Sequence, residues 1–106
     1  MLELREEPKG KITGIIQDTN RLTATIAPDI KGHLTDALKE KGVNLILNLQ
    51  NIKFIDSTGI GVLISALKTA RQHNSSFVLC SVQTEVMSLL KLMKLDQIFD
   101  FSEDDC

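Results

Sequence analysis

Short apolar runs alternate along this chain with longer stretches in which apolar residues return every three or four positions, a pattern of strands separated by helices. Leu2 to Arg5 and Ile12 to Ile16 read as short strands, and Pro8-Lys9-Gly10 between them has the composition of a turn, so a hairpin at a sheet edge is expected. The polar stretch Gln17-Asp18-Thr19-Asn20-Arg21 reads as a loop, and Leu22 to Ala24 as a short extended piece. The spacing of Ile26, Ile30, Leu34, Ala37 and Leu38 predicts a helix from Ile26 to Lys41, with Lys31, Asp36, Lys39 and Glu40 on its polar side. Thr25 is the expected N-cap, Pro28 and Asp29 suit the first turn, and Gly42 is the expected C-cap.

Val43 to Leu49 is a compact apolar run bounded by Gly42 and by Gln50-Asn51, as in a central strand buried on much of both faces. Ile52, Phe54 and Ile55 carry the apolar pattern up to Asp56-Ser57-Thr58-Gly59. A second helix is predicted from Ile60 to about Gln72, with Ile60, Leu63, Ile64, Leu67 and Ala70 inward. Phe77 to Val82 is a further strand. Thr84 to about Leu95 is a third helix whose inner stripe is Val86, Leu89, Leu90 and Met93, capped by Thr84 or Ser81. Ile98 to Phe101 reads as a last short strand or turn, and Ser102-Glu103-Asp104-Asp105 as a solvated acidic tail. Strands and helices in alternation predict an α/β fold with a mixed, mostly parallel four- to five-stranded sheet covered by helices.

The 106 residues suffice for a single domain spanning 1–106. With 42% hydrophobic and 25% charged residues, the composition is that of a chain that folds alone. Trp and Tyr are absent and Phe occurs only four times, so aliphatic side chains must fill the core, and few aromatics are left to stack on bases. A net charge of −2 with dispersed Lys and Arg gives no footprint for a phosphate backbone or an anionic bilayer, so neither nucleic acid nor a membrane is an expected partner. The apolar stretch from Gly59 to Leu67 falls far short of the roughly 20 residues of a spanning helix, and the acidic N-terminus is unlike a signal peptide, so a cytoplasmic location is expected. Cys80 lies in an apolar run and Cys106 ends the chain. Neither has ligand spacing for a metal, and a disulfide is not expected.

The segment that carries chemistry runs from Ile52 to Leu63. There an acid, two hydroxyls and a glycine stand where an apolar strand gives way to an apolar helix. Free N–H groups of the first helical turn form a local anion site, which could receive a phosphate carried by Ser57 or Thr58. Gly59 and Gly61 let a partner approach the backbone. The bland alternative is that Asp56, Ser57 or Thr58 is only an N-cap and the glycines only allow packing.

The stretch Phe54-Ile55-Asp56-Ser57-Thr58-Gly59-Ile60-Gly61-Val62-Leu63 resembles the signature of the STAS family. Leu22 to Pro28 and Leu89 to Ile98 are similar to that family's segments before its first helix and around its last. The resemblance implies an anti-sigma-factor antagonist in a partner switch, without catalysis or cofactor. The unphosphorylated antagonist would bind a serine-kinase anti-sigma factor, the kinase would phosphorylate it and so release itself, and a metal-dependent serine phosphatase would restore binding. It implies Ser57 as the phosphosite, with Thr58 second, and a partner surface of Asp18, Arg21, Thr23, Asp56, Ser57, Thr58, Gly59 and Gly61. Thr19-Asn20-Arg21-Leu22-Thr23 stands where many members carry Gly-Glu/Arg-Leu-Asp, so the partner surface departs from the family pattern. The alternative within the same fold is a scaffold or a subunit of a transport or stress-sensing complex that does not switch.

Three other functions find little support. A hydrolase elbow would need a glycine where Ile55 stands, and His33 and His73 are the only candidate histidine bases. A phosphoacceptor receiver would need an acidic pair after its first strand, where Gln17-Asp18-Thr19 supplies one acid. A nucleotide-binding P-loop is absent.

Overall fold

The computed structural model describes residues 1–102 and is a mixed α/β structure. Strand β1 (Leu2–Glu7) turns through Pro8–Gly10 into β2 (Lys11–Ile16), and the two pair antiparallel with Leu2 opposite Ile16. The expected hairpin is present. A short strand β3 (Arg21–Leu22) precedes helix α1 (Ala27–Leu38), and β4 (Asn44–Asn48) follows. Then come β5 (Phe54–Ile55), helix α2 (Ser57–Gln72), β6 (Ser76–Cys80), helix α3 (Thr84–Leu92) and β7 (Asp100–Phe101). The main sheet has five strands in the order β1-β2-β4-β6-β7, parallel from β2 to β7, while β3 and β5 form a separate parallel pair.

Period-two burial shows which face of the sheet packs. Ile12 and Ile16 on β2, Leu45 and Leu47 on β4, and Phe77 and Leu79 on β6 are buried. They join Ile30, Leu34 and Leu38 of α1 and Leu63, Ala66, Leu67 and Ala70 of α2 in one apolar cluster. Thr13, Ile15, Ile46 and Val78, at alternate positions on the same strands, are half-buried. The central strand is therefore sealed on one face only.

Several sequence boundaries shift. α1 is shorter than Ile26 to Lys41, with Ile26 at its N-cap and no side-chain cap from Thr25. Its turn is started instead by the Thr23 carbonyl, which accepts the N–H groups of Ile26 (3.1 Å) and Ala27 (2.9 Å). Gly42 is not its C-cap; it adopts φ +81° in the turn that leads into β4, and Lys39 ends the helix. α2 begins at Ser57 rather than Ile60, because the hydroxyl residues are part of its first turn. α3 ends at Leu92, and its N-cap is Gln83, which makes no side-chain cap bond, in place of Thr84 or Ser81. Met93 is exposed past its end, whereas Val86 and Leu90 are buried.

Cys80 is buried, but it is disulfide-bonded, so the expectation of no disulfide fails there. Cys106 and the acidic run from Glu103 lie outside the described residues. Among the described residues, no helix is long and apolar enough to cross a membrane.

Leu47 is fully buried where β4 meets the helices. Leu47→Ala should lower unfolding free energy by about 2–5 kcal/mol in urea denaturation, through lost burial and a residual cavity.

Candidate functional site

The junction of β5 and α2 lies beyond the carboxyl ends of β2 and β4, and the chain reaches it through a fixed connection. Asn48 Oδ1 accepts the Gln50 N–H at 2.8 Å, and Asn51 donates its side-chain amide to the Ile16 carbonyl at 3.0 Å. Lys53 and Phe54 both donate their N–H groups to the Asn20 carbonyl, at 2.8 and 3.2 Å, and Asp56 donates its own to Leu22 at 3.3 Å. These bonds align β5 with β3, Arg21 opposite Phe54 and Leu22 opposite Ile55.

Asp56 is the N-cap of α2 in an extended conformation. Its Oδ1 accepts the Gly59 N–H at 2.8 Å, and its Oδ2 accepts the Ala24 N–H at 3.2 Å. One carboxylate thus satisfies a first-turn donor of α2 and ties that turn to the segment between β3 and α1. The Gly59 N–H, helped by that of Ala24, holds the carboxyl below the usual aspartate value of 3.8 against an opposing effect of desolvation.

Ser57 and Thr58 follow as the first two residues of the helix, both exposed. Their hydroxyls can be reached by another protein. The expectation that first-turn N–H groups stand open for a phosphate holds only in part, because Asp56 already occupies the Gly59 donor.

The two glycines differ in kind. A Cβ at the buried Gly59 would stand 2.2 Å from the Leu22 carbonyl oxygen and 2.7 Å from Ile55 Cγ1, so the helix start approaches β3 closely enough to require glycine. A Cβ at the exposed Gly61 would meet nothing within 4 Å. Packing accounts for Gly59 and leaves Gly61 unexplained.

Gly61 instead borders a groove of about 420 Å³ between the two helices. Ala27, Pro28 and Lys31 of α1 form one wall, and Thr58, Gly61, Val62 and Ser65 of α2 the other. Nothing in the hydrophobic periodicity singled out this groove. Pro28 and Lys31 read in sequence as ordinary first-turn and polar-face residues.

Of the remaining candidates, Arg21 stacks its guanidinium 4.2 Å from the ring centre of Phe54, and both side chains are exposed. Phe54 therefore belongs to the surface beside the site. Thr23 is half-buried at the entry to α1. Asp18 is exposed in a left-handed turn (φ 66°) in the segment that leads to β3. His73 sits at the far end of α2, about 24 Å of helix from Ser57. His33 lies 3.4 Å from Asp29 on the exposed side of α1. The junction thus offers exposed hydroxyls on a capped helix start beside a mainly apolar groove.

The family model for the STAS domain matches residues 7–104. The anti-sigma-B factor antagonist of Listeria monocytogenes serovar 1/2a is 27% identical over 92 residues, covering 79% of this chain and 81% of that relative. An anti-sigma-factor antagonist (STAS) domain protein from Planctomyces limnophilus has the same fold, with a TM-score of 0.87 at 18% identity over 98% of this chain and 91% of that one. So does the Bacillus cell fate determinant SpoIIAA in its phosphorylated form, with a TM-score of 0.73 at 13% identity over 98% and 93%.

The contrast between the glycines is measurable. Gly61→Ala should stabilise the fold by about 0.5–1 kcal/mol, the helix-propensity difference, whereas Gly59→Ala should destabilise it by about 1–3 kcal/mol through backbone overlap. Chemical denaturation of both variants checks this. Asp56→Asn keeps a capping oxygen and removes the charge. Because the folded pKa is depressed, the stabilisation from the charge is present above the ordinary value of 3.8 and is lost as pH falls through the folded value. The urea midpoint of wild type should exceed that of Asp56→Asn at pH 7, and the gap should close as pH is lowered below 3.8.

Proposed function

We propose a function that starts from one fact: the chain belongs to the STAS domain family. It is an anti-sigma-factor antagonist of the partner-switching kind, a single domain working in the cytoplasm by binding and not by catalysis. Unphosphorylated, it binds and sequesters a serine-kinase anti-sigma factor; phosphorylation of Ser57 releases the kinase; a metal-dependent serine phosphatase restores binding. The observation that carries this reading is the placement of Ser57, exposed at the first position of α2 directly after the Asp56 cap. Its relatives' names support the general role.

The physics of release is electrostatic. A phosphoserine adds about −1.5 to −2 charges at pH 7. Asp56, kept ionised by its backbone donors, stands next in the chain, and the described residues include no cation bonded to it. Seating that dianion in a contact patch without matching cations costs several kcal/mol, and about 1.4 kcal/mol is tenfold in affinity. A loss of two or more decades follows with no change of fold. The partner patch is the junction itself: Ser57, Thr58, Gly59 and Gly61, flanked by Asp56, Thr23 and Arg21, with Asp18 at its margin.

Wild type, Ser57→Ala and Ser57→Asp used as baits in native cytoplasm test this. The alanine form should retain an ATP-dependent kinase, the aspartate form should lose it, and only wild type should take up phosphate. Equal retention by all three with no phosphorylation would make Ser57 a helix residue only and the protein a scaffold.

A further inference from the structure

The groove between α1 and α2 extends the Ser57 face, and one charge distinguishes it. Its lining is mainly apolar, from Ala27, Pro28, Val62 and the bare backbone at Gly61, and its only formal charge is Lys31. The Lys31 ammonium is exposed and makes no ion pair among the described residues, while the acids of α1 are engaged elsewhere: Asp29 with His33 at 3.4 Å and Asp36 with Lys39 at 3.9 Å. A glycine that packing does not require, an apolar wall on each side and a single unpaired cation together define the complementary ligand.

We propose that this groove seats an acidic, apolar segment of the kinase partner, with an apolar side chain lying over Gly61 between Pro28 and Val62, and an Asp or Glu carboxylate on Lys31. The inference rests on the function proposed above and adds the chemistry of the partner. It also gives phosphorylation a second lever. Thr58 lines the groove and Ser57 precedes it, so a phosphate there lies close to the seat of the partner's carboxylate, repels it and draws on the same ammonium. A nucleic acid or an anionic membrane fits less well, because one cation on a chain of net charge −2 is too little for either.

The test uses the kinase retained by the Ser57→Ala bait, with its affinity measured for Ser57→Ala alone and combined with Lys31→Glu, Gly61→Leu or Lys41→Glu. Lys41 is exposed in the turn before β4, at the opposite end of the sheet, and controls for net charge. Lys31→Glu should weaken binding at least tenfold and Gly61→Leu, which fills the groove, by a similar factor; Lys41→Glu should change it less than twofold. Lys31→Ala should weaken binding less than Lys31→Glu and flatten its dependence on salt. Lys31 and Gly61 are both exposed, and matching circular dichroism and thermal midpoints show that the variants fold. If the kinase binds Lys31→Glu and Gly61→Leu as tightly as the parent, this inference fails while the function stands. If no bait retains a kinase, both fail.

Discussion

The site depends on the two-sided hydrogen bonding of the Asp56 carboxylate. One oxygen holds the Gly59 N–H in the first turn of α2, and the other holds the Ala24 N–H in the segment entering α1. The starts of both helices are thereby fixed to one charged group. The separate β3–β5 pair exists for the same purpose, because its backbone bonds to Asn20 and Leu22 bring the two segments within reach of that carboxylate. Gly59 completes the arrangement by removing the side chain that would keep α2 away from Leu22.

Rigidity of this kind suits a switch that acts through charge. Ser57 is presented by a helix whose start is already pinned by the Asp56 cap, so a phosphate placed there would meet a fixed field and not a segment that must order around it. In the proposed complex the neighbouring groove supplies the apolar contact to the partner, and Lys31 supplies its polarity. Binding energy and its control then occupy one surface with different atoms carrying each. Modification changes the electrostatics of the rim and leaves the apolar walls untouched.

Much of this was legible in the sequence. The alternation of short apolar runs and helical stripes foretold the mostly parallel sheet, and the run Asp56-Ser57-Thr58-Gly59 marked the junction. What periodicity missed follows from tertiary contacts. Helix α2 starts three residues before the first apolar residue of its stripe, because a cap and not a hydrophobic position sets where a helix begins. Thr25 looked like a cap for α1, but the backbone of Thr23 made the turn first. Phe54 continued the apolar pattern with no sign of its exposure, and a two-residue strand at the margin turns it outward to stack with Arg21. The different roles of Gly59 and Gly61 could not be separated without knowing what lies opposite each, and the groove has no signal in sequence because its walls come from two helices.

The most direct measurement is the backbone amide spectrum of the protein with phosphoserine placed at position 57, compared with the unmodified protein. Shift changes confined to the junction, the start of α1 and the first turns of α2, with the amides of β4 and β6 unmoved, are the predicted result. Changes spread through the main sheet would show that the phosphate acts by refolding and would contradict a local electrostatic switch.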